Sequence, residues 1–325
     1  MPKKLNLLLI RLSSIGDLCL TFDFVNSFSH QYNITFVTYK KFQDVLKPIE
    51  SLIIEKVLLQ KETFKDDVWA LKNGNTKYDL ILDLQGSLRS FYLRLQLHNI
   101  PSLSFDKRRF ERMVHLHFKK DIYFNHKNIS TRYINETEKF LGQKSSNTPS
   151  YKFSKKAKKI LIAAGASFVP KRWPLDNFLA VCSSVLEDPE LNEYEIIFIG
   201  QNDDQTDRIN EYAKKSNRIQ SKINQTNISE LFEVMSQSNF LLSNDSGPMH
   251  MGQSLGLPTI GIFGPTHPYF GFVPLNMNFF MFEQNIHCRP CSLIGNKPCH
   301  QPENICFTKT TPDHVFSKLK EMVLE

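Results

Sequence analysis

L-N-L-L-L-I-R-L-S-S-I-G-D, Leu5 to Asp17, is the stretch on which the fold turns. Leu7 to Ile10 is an unbroken aliphatic run with no polar alternation, so Leu5–Arg11 reads as a strand covered on both faces, as in a parallel sheet. The polar residues after it make a turn, and Asp17–Ser29 reads as a helix. Strand, turn and helix in this order open a doubly wound α/β domain, whose ligands gather beyond the carboxyl ends of the strands. The loop Arg11–Asp17 is at such an end. Gly16 permits a tight turn there, and Asp17 either points at a ligand or serves only as an acidic residue favoured in a first helical turn. The dinucleotide fingerprint G-x-G-x-x-G is absent, which sets a dehydrogenase aside.

Outward from this unit the alternation continues. Asn33–Thr38, Lys56–Leu59 and Tyr78–Leu84 read as strands. A polar stretch, Gly142–Ser150 (G-Q-K-S-S-N-T-P-S), then reads as a linker. Strands restart at Ile160–Ala164, Glu195–Gly200, Phe240–Ser243 and Thr259–Phe263, with helices at Asp176–Leu186, Ile228–Gln237 and Pro248–Leu255. Thr311 as N-cap with Pro312 and Asp313 behind it starts a terminal helix to Leu324. The 325 residues, 41% hydrophobic with 26 Phe, suffice for two such domains, 1–150 and 151–325.

Forty basic against 33 acidic residues leave +7, a moderate excess that suits an anionic substrate or membrane surface better than nucleic acid. No apolar run approaches the ~20 residues of a membrane span, and the stretch after Lys3 and Lys4 is too short for a signal peptide. The expected location is the cytoplasm, at most against a membrane.

Three further loops follow strands. S-N-D-S-G-P-M-H, Ser243–His250, runs into a helix with Pro248 near its start, and such a start offers backbone N–H groups to a phosphate. Gly247 allows close approach, Ser246 a hydroxyl and His250 a ring donor; a plain capped helix with Asp245 or Ser246 as N-cap is the alternative. G-P-T-H-P, Gly264–Pro268, ends the neighbouring strand, and two such loops side by side fit a diphosphate. K-R-W-P, Lys171–Pro174, brings a cation from Lys171 or Arg172, and Trp173 packs or stacks.

Together with D-L-Q-G-S-L-R-S (Asp83–Ser90), these motifs give the chain a resemblance to glycosyltransferase family nine, the heptosyltransferases of lipopolysaccharide core synthesis. That resemblance implies a GT-B fold: two Rossmann-like doubly wound domains facing a central cleft, the first for acceptor and the second for nucleotide sugar. It implies an inverting transfer of heptose from ADP-heptose to the inner core (Kdo/heptose region) of lipopolysaccharide or lipooligosaccharide, without a catalytic cofactor. By it Asp17 is the catalytic base and Lys171 the neutralising cation. Asp245 meets the donor sugar, Gly247, Pro248, Met249 and His250 the diphosphate, and Asp203 in G-Q-N-D-D (Gly200–Asp204) the ribose. Ser14, Gly16, Ser246, Gly264, Pro265 and Thr266 fall on the donor side. Arg11, Gln85, Gly86 and Arg89 fall on the acceptor side.

A basic cluster, Lys107, Arg108, Arg109 and Arg112, has three readings: carboxylates and phosphates of the acceptor, anionic lipid, or a solvated helix face. Cys288, Cys291, Cys299 and Cys306, in C-R-P-C-x7-C-x6-C, suggest a structural zinc site, although the second pair lacks knuckle spacing.

Overall fold

The run that opens the chain becomes β1 (Leu5–Ile10), and Leu7 to Ile10 are buried because the strand is central. Its alternate residues serve two cores. Leu8 and Ile10 join Phe64, Val68, Leu93 and Leu97 on one face of the sheet, leaving Leu7 and Leu9 to the other.

A computed structural model describes residues 4–119, 128–145, 157–201, 204–273 and 278–325. They divide into two units, 4–109 with 128–145 and 110–119 with the described residues from 157 onward. Residues 110–119, in the first half of the sequence, thus group with the second unit. Part of the expected linker and Asp203 lie outside the described residues.

In the first unit β2 (Tyr32–Tyr39), β3 (Glu55–Leu59), β4 (Leu80–Asp83) and β5 (Ser102–Ser104) complete a parallel sheet in the order β3-β2-β1-β4-β5. Its helices are α1 (Ile15–Cys19), α2 (Phe22–Phe28), α3 (Phe64–Lys72), α4 (Leu88–Gln96) and, beyond α5 (Arg109–Phe118), α6 (Ile129–Leu141). The expected Asp17–Ser29 helix is broken in two: Thr21 Oγ1 donates to Leu18 O at 2.7 Å, and Thr21 becomes the N-cap residue of α2. The helix also starts earlier, so Gly16 lies inside α1 rather than in a turn.

The second unit holds β6 (Lys159–Ala163), β7 (Glu195–Phe198), β8 (Ile219–Ser221), β9 (Phe240–Asn244), β10 (Thr259–Ile262) and β11 (Phe279–Phe282), parallel in the order β11-β10-β9-β6-β7-β8. Its helices are α7 (Leu175–Glu187), α8 (Thr206–Ala213), α9 (Ile228–Ser236), α10 (Gly247–Ser254), α11 (Ile305–Thr308) and α12 (Pro312–Leu324). Val315, Leu319 and Val323 of α12 join Phe178, Val181 and Val185 of α7 in one core.

Both sheets reverse strand order at one place, between β1 and β4 and between β6 and β9. Each reversal leaves a crevice where two neighbouring strands send their connections to opposite faces. Register sets what faces that crevice: Ile10 is level with Asp83, and Ala163 with Ser243.

Candidate active site

In the first unit the register brings the loops after β1 and β4 together. Asp83, fully buried at the end of β4, accepts from Gln85 N and Gly86 N at 2.9 Å through Oδ1 and from Arg94 Nε at 3.1 Å through Oδ2. This holds the Gln85–Gly86 turn, in which Gly86 has φ +50 and a Cβ would lie tightly, 3.1 Å from Phe105 O. Gln85 Oε1 then accepts from Leu12 N at 3.0 Å and Ser13 N at 3.3 Å, tying the two loops. With its oxygen so fixed, the Gln85 side chain joins the lining of a cavity of about 830 Å³. Arg89, Lys107, Arg109, Arg94 and Lys61 also line it.

Asp17 is held beside this turn. Oδ1 meets Arg11 Nη2 at 2.6 Å, and Oδ2 accepts from Ser14 N and Ser14 Oγ at 3.0 Å. Burial would raise its pKa, but the Arg11 charge and the Ser14 hydrogen bonds outweigh it and hold the carboxyl below its ordinary value. Arg11 is itself buried and donates to Ser13 O, Leu84 O and Tyr133 Oη besides. Arg11 and Ser14 thus both hold the Asp17 carboxylate. Burial, and then the charges of Arg11 and Arg109, push Lys107 down to about 8.

In the second unit the loops after β6, β9 and β10 meet. Lys171 Nζ lies 2.8 Å from Asp245 Oδ2, and the same oxygen accepts from Thr266 Oγ1 at 2.7 Å. Lys171 and then His250 hold the buried Asp245 carboxyl below its usual range against the opposing effect of burial. Ser246 is the N-cap residue of α10, extended at φ −151, and its Oγ lies 3.3 Å from Ser243 Oγ. Gly247 and Pro248 open the helix, so N–H groups at its start remain without helical acceptors. A cation beside such a start is a place for a phosphate.

The model of glycosyltransferase family 9 (heptosyltransferase) matches residues 70–298. The chain belongs to glycosyltransferase family 9. Lipopolysaccharide heptosyltransferase 1 of Campylobacter coli is 25% identical over 309 residues, covering 83% of this chain and 87% of that one. Lipooligosaccharide heptosyltransferase 2 of Campylobacter jejuni is 28% identical over 174 residues, 52% of each. Among solved structures, a family 9 glycosyl transferase from Veillonella parvula superposes with TM-score 0.76 at 19% identity over 100% of this chain and 99% of that one. Heptosyltransferase WaaC of E. coli with ADP does so with TM-score 0.71 at 15% identity over 98% and 100%.

Several motif residues of this family 9 glycosyltransferase are engaged with neighbours in the protein. Met249 is wholly buried, close under Gly261 of β10, so its backbone alone is available to a ligand. Trp173 packs rather than stacks: it is buried edge-on to Phe178 with Nε1 donating to Thr310 O. Arg172 turns to Asp204 and Ala166 O. Arg108 does not line the cavity and acts on Glu136 and Arg132 instead, while Arg112 donates to Phe270 O in the second unit. Pro265 O accepts from Cys291 N.

Two residues without an expected role hold the sites together. One is Asp83. The other is Asn244, fully buried, which accepts from Trp173 N at 3.0 Å and donates to Ala164 O at 2.6 Å, so it braces the segment carrying Lys171 against the loop carrying Asp245. Each is a polar residue closing an apolar strand, and that is the signal by which sequence could have found them.

The four cysteines are free thiols. Cys291 Sγ is turned to Cys288 O at 3.6 Å and Cys299 Sγ to Glu303 O at 3.7 Å, and burial pushes Cys306 up to about 12. Among the described residues no group of three or more Cys, His, Asp or Glu is placed to hold a metal.

Gly264 has a packing role. A Cβ there would lie 2.2 Å from Cζ of the buried Phe307. Gly264→Ala should therefore destabilise the second unit by about 1–3 kcal/mol through overpacking, read as a shift in the urea midpoint. An unchanged midpoint would mean that the Phe307 ring moves aside freely.

Proposed function

We propose that this transferase moves a heptose from ADP-heptose, with inversion, onto the Kdo/heptose inner core of a lipid A-linked lipopolysaccharide or lipooligosaccharide acceptor. The observation that carries this reading is the Lys171–Asp245–Thr266 cluster at the start of α10, a site suited to a sugar diphosphate. The names of the two Campylobacter relatives support the choice of sugar.

In this reading the first unit binds the acceptor and the second the nucleotide sugar. Asp17 takes the proton of the acceptor hydroxyl as its oxygen bonds to the anomeric carbon. The bond from that carbon to the diphosphate breaks on the opposite side, so the centre inverts and ADP leaves. The charge growing on the diphosphate is met by Lys171 and the N–H groups of α10, with Ser246, His250 and the Gly264–Thr266 loop around them. Asp245 orients Lys171 and the donor sugar, and Asp203 is assigned to the ribose. Gln85, Gly86, Arg89, Lys107 and Arg109 take the anionic groups of the acceptor. The reaction draws on no metal or cofactor. No helix among the described residues is long and apolar enough to cross a membrane; a peripheral position at the cytoplasmic face of the inner membrane suits the acceptor.

Incubation with ADP-heptose and Kdo-bearing lipid A should add the mass of one heptose. Turnover with a UDP- or GDP-sugar instead would reassign the donor, and absence of turnover with all of them would leave only a binding module. The charge on Lys107 adds a pH signature. Its pKa is lowered to about 8, so the cation is present below that value and lost above it. The KM for an anionic acceptor should rise between about pH 7 and pH 9, and Lys107→Met should remove that rise. An identical rise in the variant would place the titrating group elsewhere.

A further inference from the structure

Helix α4 is apolar on two faces. On the inner side Leu93 is buried in one core with Leu8 and Ile10 of the sheet. On the outer side Leu88, Phe91 and Leu95, spaced i, i+3 and i+7 along one stripe, are 88%, 53% and 54% exposed. The solvent face of such a helix ordinarily carries charged and polar side chains, and a contiguous row of large apolar ones marks a contact.

The row has a charged margin. Leu88 and Phe91 also line the cavity of the first unit, together with Lys61, Arg89, Arg94, Lys107 and Arg109 against Asp83 and Asp106. Asp83 is already matched by Arg94, which leaves the cavity strongly cationic. A matching partner is apolar beneath and anionic at its boundary. A second copy of this chain meets the first condition and fails the second, since a symmetric pairing sets cations against cations. A bilayer containing anionic phospholipid meets both.

We infer that Leu88, Phe91 and Leu95 dock the protein on an anionic membrane, entering the boundary between headgroups and acyl chains while the cavity cations face the phosphates. This rests on the reading of a lipid-linked acceptor, and it gives that reading a geometry: the sugar enters the cavity while its lipid stays in the bilayer beside α4.

The test is co-sedimentation of the full chain with vesicles of phosphatidylglycerol and phosphatidylethanolamine, against vesicles of phosphatidylcholine alone. The wild type should favour the anionic vesicles, and Leu95→Glu should weaken that binding about tenfold or more. Leu88→Ser with Phe91→Ser should weaken it as well. Leu95 does not line the cavity, so turnover of Leu95→Glu on a deacylated, water-soluble acceptor should match the wild type. Equal vesicle binding by the wild type and Leu95→Glu overturns the docking surface. So does a lipid-free dimer that Leu95→Glu dissociates, which would give the stripe to a second copy. Loss of vesicle binding in Leu95→Glu, with no turnover on any acceptor by the wild type, upholds the surface and overturns the transferase reading alone.

Discussion

Asp17→Asn should lower turnover about 10²–10⁴-fold, the usual contribution of a general base, while ADP affinity stays near that of the wild type. Stability will fall too, because Asp17 neutralises the buried Arg11. Removing one partner of a pair with one buried member leaves a charge poorly matched, at a cost of order 1–3 kcal/mol. Turnover is therefore measured well below the melting temperature on protein whose folded fraction is known. Activity within a few-fold of wild type there would reduce Asp17 to a capping residue. The lowered pKa also fixes a direction in pH. A depressed carboxyl stabilises the fold above its unfolded value of about 3.9, and the contribution is lost as pH falls through the lower folded value. The basic form of Asp17 thus persists through mildly acid conditions, and the acid limb of kcat/KM should not come from this residue.

Lys171→Met should be the second large loss, about 10²–10³-fold in kcat, because it removes the cation assigned to the leaving diphosphate. It also leaves the buried Asp245 with Thr266 but without its ion pair, so the melting temperature should drop as well. Lys171→Arg restores a cation in a different shape and should recover part of both. Calorimetric titration with ADP separates the roles: an affinity equal to wild type on folded Lys171→Met would make Lys171 a partner of Asp245 and nothing more.

The strands that build the two crevices were legible because each is covered on both sides and so written as an unbroken apolar run: Leu7–Ile10, Leu80–Leu82, Ile160–Ile162, Phe240–Leu242. The loops that follow them were legible for the same reason. What each loop residue faces was not, since that depends on register between strands far apart in sequence. Ile10 level with Asp83 lets Gln85 reach the first loop, and Ala163 level with Ser243 lets Asn244 reach Trp173. The break at Thr21 has no signature in the sequence, because a hydroxyl donating to a carbonyl three residues back leaves no periodic trace. Gly264 was visible as a glycine, but its reason, the ring of Phe307, lies across the core.

The grouping of α5 with the second unit bears on how the chain is made. Arg112 meets Phe270 O across 158 residues of sequence, and His115 stacks edge-on near His267. On the ribosome α5 emerges long before the His267–Phe270 segment that Arg112 and His115 contact, so those two side chains are without these partners until late in translation. Cutting the chain at the polar stretch after α6 would strand α5 on the wrong piece. Co-expressed halves 1–150 and 151–325 are accordingly a poor way to reconstitute this protein, and a cut before Arg109 is no better, since it keeps α5 with the second unit but carries α6 away from the first.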